Sequence, residues 1–345
     1  MADTGELLWK ACTSGDIETV RELTDPNHPN PVNVNWADAG RKRSCLYRAC
    51  GHNHVAVVSH LLSLPGIAVN QVQDCKGSAL LIAAQEGHLA IVKVLLSDQR
   101  LVPDIVDRQG IAPLHFACQE GHATVVEVLL GDSRVNPNLQ GVKGTTPLML
   151  ACREGHVGVA RIMLTDPRVN PGLKDSNGFT SLSLAASEGR AEVIRLLLLD
   201  PRIDPNATSQ NASTPLMVAC DGGHVEAVKT LLLDDRVLVN LRNVEGFTAL
   251  WCAAQKGHEN VVKMLISLRV NVDPSLPSHT RGSQSWRGKT PAEIARISKY
   301  PELAALLNDF QSNPKEVRQR CWRDTGLQSE LLFFFLLFRL AVACY

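Results

Sequence analysis

Apolar and polar positions alternate along this chain in a pattern that repeats. Short apolar runs with helical spacing are separated by polar breaks, and the glycines Gly87, Gly121, Gly155, Gly189, Gly223 and Gly257 fall 34 residues apart each time. Asn53 sits one further period upstream. One period, residues 107–140, shows the unit. Asp107-Arg108-Gln109-Gly110 is turn chemistry, with Asp to bond its own backbone and Gly for positive φ. Ala112-Pro113 opens a first helix, because proline suits the first helical position. Gly121 stands where a helix ends in a left-handed residue. A second helix is predicted from Ala123 to Leu130, with Val125, Val126, Val128, Leu129 and Leu130 as its apolar stripe. Asp132 to Asn138 returns as an extended loop. Neither helix approaches the roughly 12–15 residues that stand alone in water. Each therefore needs the next repeat to cover its apolar face, which predicts an all-α stack of helix-turn-helix units.

The first helix carries the motif that gives the pattern a family likeness. It reads Ala112-Pro113-Leu114-His115-Phe116-Ala117, then Thr146-Pro147-Leu148-Met149-Leu150-Ala151 and Thr214-Pro215-Leu216-Met217-Val218-Ala219, with weaker copies at 78–83, 180–185, 248–253 and 290–295. The chain resembles the ankyrin repeat family, whose signature is T-P-L-H-x-A. The resemblance implies an all-α ankyrin-repeat solenoid with hairpin-like turns over 1–310, about nine units including diverged end caps. Thr248 to Thr290 is 42 residues, eight above the period, so an insertion is expected near 272–288, read as disordered. Residues 311–345 read as a separate tail, basic and then hydrophobic, ending in the apolar run Leu331 to Tyr345. Fifteen residues give roughly 22 Å of helix against a bilayer core of about 30 Å, so a membrane role ranks below an ill-ordered or docking terminus.

Composition narrows the function. The formal net charge is +0, from 35 basic and 35 acidic residues, which gives no general affinity for nucleic acid phosphates. No secretory leader is read at the acidic start, so a cytoplasmic, and also nuclear, location is expected, and not secretion. Cys12, Cys50, Cys118, Cys152 and Cys220 share one slot, too far apart for disulfides if repeats step by about 10 Å. The same step keeps His54, His88, His122, His156, His224 and His258 from meeting on one metal ion. No phosphate-binding loop, kinase signature, nucleophile elbow or zinc spacing is present. A non-enzymatic chain without a cofactor is the reading.

The slots that family resemblance implies to be exposed carry the candidate binding residues: Arg108, Glu120, Lys143, Arg153, Glu154, Phe179, Glu188, Phe247 and Lys256. Glu86, Glu120, Glu154 and Glu188 repeat in one slot and should form a carboxylate ladder along a concave groove. At the C-terminal end of a helix the dipole disfavours negative charge by roughly 0.3–1 kcal/mol, so local stability does not explain them. A basic segment of a protein partner would, and Phe179 and Phe247 would add aromatic anchors. The sequence thus reads as a monomeric scaffold or adaptor; membrane attachment through the tail, or an accessory role in an enzyme complex, are the alternatives. A second ladder pairs Asp98, Asp132, Asp166, Asp200 and Asp234 with an arginine two residues on, and salt bridges between repeats are expected there. Asn138, Asn206 and Asn240 sit in the slot that resembles the asparagine hydroxylated in some family members.

Overall fold

The computed structural model describes residues 4–268, 271–278 and 286–325. They form helices throughout, with one isolated bridge at Ala37 and Ser44 in the first turn. The chain divides into two compact units, Met1–Ser176 and Asn177–Tyr345. The first contains five helix pairs: α1 (Thr4–Ser14) with α2 (Ile17–Thr24), α3 (Cys45–Gly51) with α4 (Val55–Ser63), α5 (Ala79–Gln85) with α6 (Leu89–Leu96), α7 (Pro113–Gln119) with α8 (Ala123–Leu130), and α9 (Pro147–Glu154) with α10 (Val157–Thr165). The second contains α11 (Ser181–Ser187) with α12 (Ala191–Leu198), α13 (Pro215–Asp221) with α14 (Val225–Leu232), α15 (Ala249–Lys256) with α16 (Glu259–Leu268), and α17 (Pro291–Ile297) with α18 (Pro301–Ser312). A last helix, α19 (Pro314–Asp324), follows.

Within each unit first helices pack on first helices and second on second, so the core is a column. In the repeat of residues 107–140 the helices fall where the pattern puts them, and Leu114, Ala117, Cys118, Val125, Val126 and Leu129 are buried. The threonine of the motif is the N-cap and the proline the first helical residue: the hydroxyls of Thr146, Thr214 and Thr290 accept from the amides of Met149, Met217 and Glu293. The described cysteines are free thiols, all buried except Cys75.

Within each unit, neighbouring repeats are tied by a few recurring polar groups. His122 sits at the start of α8 and its Nε2 lies 2.9 Å from the Gln85 carbonyl, one repeat back; His156 does the same to Gln119 at 2.8 Å. The glycines at 87, 121, 189 and 223 make room for that ring from the next repeat. Gly121 has φ +79°, and a Cβ there would lie 2.7 Å from the His156 ring. His115 is fully buried; its Nδ1 accepts from the Ala112 amide at 3.2 Å, so Nε2 carries the proton and donates to the Thr145 carbonyl at 3.1 Å. Burial pushes its pKa down. Trp251 replaces this histidine and makes the equivalent link, its indole Nε1 donating to the Lys289 carbonyl at 3.1 Å.

The ends differ from the sequence expectation. Helix α19, placed by sequence in the tail, packs against α16 and α18. Val317 and Cys321 are buried, Arg318 Nε donates to the Ile266 carbonyl at 2.9 Å, and Trp322 Nε1 donates to the Ser267 carbonyl at 2.6 Å. The packed chain thus runs past 310 to at least Thr325. The described ends of the insertion are also ordered by contacts. Trp286 meets Phe247 and Trp251 edge-on at 6.3 and 6.0 Å, and the Ser278 hydroxyl donates to its carbonyl. Residues 279–285 and the apolar run 331–345 lie outside the described residues.

Candidate protein-binding surface

Two rows of exposed residues run along each unit, one at the turn tips and one at the C-terminal ends of the first helices. The tips are held by a backbone ladder. In the first unit the amides of Asp74, Arg108, Val142 and Ser176 donate to the carbonyls of Arg41, Cys75, Gln109 and Lys143 at 3.0, 3.3, 2.8 and 2.8 Å. In the second, Gln210 and Val244 donate to Asn177 and Asn211 at 2.9 and 3.0 Å. Asp107 stiffens its own turn, its carboxylate accepting from the amides of Gln109 and Ile111 at 2.8 and 2.9 Å. The side chains that project are thus mounted on fixed backbone, which lowers the entropy lost on binding.

The expected contact residues divide among these rows. Arg108 and Lys143 are exposed at tips. Glu86 and Glu120 are exposed C-caps of α5 and α7, and Glu154 ends α9 half-buried, 2.9 Å from Arg153 Nε. In the second unit Glu188 is the exposed C-cap of α11, and Lys256, at the end of α15, faces Asp221 at 3.9 Å. Phe179 is half-buried. Phe247 is not an exposed anchor: it is 6% exposed and stacks flat on Trp251 with ring centroids 3.6 Å apart. The insertion allows this, because Trp286 covers the stack.

The other recurring polar residues are occupied within the array. Each Asp–Arg pair of the return loops closes inside its own repeat, not between repeats as expected: Arg134 Nη2 donates to Asp132 at 2.7 Å, and Arg168 to Asp166 at 2.6 Å. The guanidinium then reaches one repeat back, Arg134 to the Leu96 carbonyl at 2.8 Å and Arg236 to Leu198 at 2.7 Å. It thereby satisfies the open carbonyl end of the preceding second helix. The hydrogen bond from Arg134 holds the Asp132 carboxyl below its ordinary pKa. The asparagine slot bridges loops in the same way. Asn138 donates to the Arg168 carbonyl at 2.7 Å and accepts from the Asn170 amide at 2.8 Å; Asn206 spans Arg236 and Leu238, and Asn240 spans Asn271 and Asp273. A one-residue motif scan misses these bridges. Their signal in the sequence was the return of Asn at 138, 206 and 240, whole multiples of 34 residues apart.

The family model for ankyrin repeats (3 copies) matches residues 61–141, 114–209, 199–278 and 216–316. The chain belongs to the ankyrin-repeat family. No curated protein matches it. Ankyrin repeats are generally protein–protein interaction modules. Among the described residues no cluster of His, Cys, Asp or Glu has the arrangement of a metal site, and no helix is long and apolar enough to cross a membrane.

Proposed function

We propose that this ankyrin chain is a non-enzymatic adaptor that takes a basic segment of another protein along the glutamate row of its first helices. One observation carries the reading. Histidine, asparagine and arginine recur in fixed slots and bond to the neighbouring repeat, and the recurring aspartates clamp those arginines, whereas Glu86 and Glu120 recur at the surface with no such bond. They also stand where the helix dipole opposes them, by roughly 0.3–1 kcal/mol each. A row of carboxylates held at a cost and left facing solvent suits a cationic ligand, raising its encounter rate and fixing its register. The free thiols support a reducing compartment such as the cytoplasm.

Affinity purification with mass spectrometry, run in parallel on the wild type and on Glu120→Lys/Glu154→Lys, tests this. The wild type should enrich at least one partner that the variant loses by about tenfold or more at low salt. Thermal melts of the two should differ little, since Glu120 is exposed and the partly exposed Glu154–Arg153 pair is worth about 1 kcal/mol at most. Identical partner sets from two equally folded proteins would sink the glutamate reading.

A further inference from the structure

The turn tips of the first unit carry a second row of charge, opposite in sign to the glutamates. Four successive tips each present a cation: Arg41, Lys76, Arg108 and Lys143. All four are exposed, and among the described residues their side chains make no ion pair, whereas the neighbouring Lys42 faces Asp74 at 3.9 Å and Arg43 is bound to Asp38 at 2.6 Å. Lys76 occupies its place against local preference. Its φ is +61°, in a slot where the next two repeats have Gly110 and Gly144 with φ +71°. A side chain in this left-handed region costs roughly 1–2 kcal/mol that glycine avoids. The next three tips, at 175–178, 209–212 and 243–246, hold no cation, and one returns at Arg287 in the last tip, so the unbroken run of tip cations belongs to the first unit.

Between the two rows in a repeat lie a first helix and the short turn arm ahead of it: Arg108 stands five residues before α7, and Glu120 directly follows it. Helix α7 has 7 residues, about 10 Å at 1.5 Å per residue. An α-helix with its side chains is about 10–12 Å across, and with the reach of flexible Arg, Lys and Glu side chains on both partners it can bridge the two rows. An extended strand, about 4.8 Å from its neighbours in a sheet, would reach only one. Along the stack the repeats step by about 10 Å, close to the roughly 10.5 Å rise of seven helical residues. We propose that the first unit recognises a partner α-helix laid along it, with carboxylates recurring every heptad on the flank toward the tips and Lys or Arg on the flank toward Glu86, Glu120 and Glu154. This rests on the adaptor reading and names the partner's shape and second charge. The neighbouring glutamate row repels a phosphate backbone, which favours a protein helix over a nucleic acid strand for the same cations.

The test uses the full chain and synthetic probes, read by fluorescence anisotropy at low salt. The probes are Ala-based helices of about 21 residues, three heptads, carrying Glu on one flank and Lys on the other, Lys on both, Glu on both, or the mixed charges scrambled around the helix; a single-stranded DNA oligonucleotide is the fifth. The wild type should bind the mixed-flank helix about tenfold or more tighter than any other probe. Lys76→Glu/Arg108→Glu/Lys143→Glu, with an unchanged melt, should lose that preference and bind the helix with Lys on both flanks best. If the wild type already prefers the doubly basic helix, or the triple variant keeps the wild-type preference, the tip row has no such role and the glutamate reading stands alone. Preference for the oligonucleotide overturns the proposal in favour of nucleic acid. Failure of every helix to bind either protein overturns this proposal and the glutamate reading together.

Discussion

At position 121 two demands meet: a left-handed backbone and an absent side chain. Gly121 ends the turn before α8 with φ +79°, and the His156 ring of the next repeat fills the space where a Cβ would stand, 2.7 Å away. Gly121→Ala should therefore cost about 2–4 kcal/mol, the sum of a left-handed alanine and an overpacked contact. Urea denaturation measures it. In a His156→Ala background the steric part disappears, and the added cost should fall to about 1–2 kcal/mol. Equal costs in both backgrounds would mean that the ring yields freely. The 34-residue recurrence made Gly and His legible as structural, but not their mutual contact. That contact joins residues 35 apart, and spacing alone names a neighbouring repeat without saying which atoms meet. Phe247 shows the same gap in reverse. Its slot reads as exposed, yet it is buried because Trp251 stands in the place of His115 and stacks on it, and nothing local to Phe247 signals that.

The elements are too short to be stable alone, so their ends decide how well they hold. In the central repeats the second helices are 8 to 10 residues, well below the ~12–15 that persist in water. The C-terminal carbonyls of α4, α6, α8 and α12 are met by Arg100, Arg134, Arg168 and Arg236 of the following return loops, each clamped by its aspartate. The helices and caps were legible from the sequence because proline, threonine and glycine act on their own neighbourhood. The clamps were misread as bridges between repeats because a two-residue Asp–Arg spacing fits either arrangement. The clamps also predict a pH dependence. Bonds from Arg100, Arg134, Arg168 and Arg202 hold Asp98, Asp132, Asp166 and Asp200 below the ordinary carboxylate range. With folded pKa values below the unfolded ones, the folded state binds fewer protons in that window. The stabilisation is complete above the unfolded value, near pH 4, and is lost as pH falls through the folded values. Urea midpoints measured from pH 7 down to about 2.5 should be flat near neutrality in this respect and fall steeply in acid. Asp132→Asn should be less stable at pH 7 by about 1–2 kcal/mol and show a shallower acid loss. An unchanged acid slope in that variant would remove the clamp as the cause.

At the scale of the whole chain, each unit has a terminal repeat with an open face, and that face is closed by residues the repeat pattern does not contain. At the N-terminal end Trp9 meets Trp36 edge-on at 6.5 Å, its indole Nε1 donates to the Arg43 carbonyl at 2.9 Å, and Arg48 lies over its ring at 5.0 Å. At the other end α19 covers α16 and α18. The period identified the array and its approximate limits, but it could not show these closures, because a cap is recognised by what it covers and not by recurrence. In a nearest-neighbour column, loosening a cap should loosen the repeat beneath it and leave distant repeats alone. Val317 is 1% exposed on the inner side of α19. Val317→Asp buries a carboxylate there and should release the helix at a cost of about 2–4 kcal/mol. Hydrogen exchange on the full chain should then show faster exchange in α16 and α18, whose Ile266 and Ser267 carbonyls lose their Arg318 and Trp322 donors, with α1 to α10 at wild-type rates. Loss of protection spread evenly over both units would mean that α19 supports the whole array cooperatively. No change in α16 would mean that its packing contributes little, and that the last repeat closes the column without it.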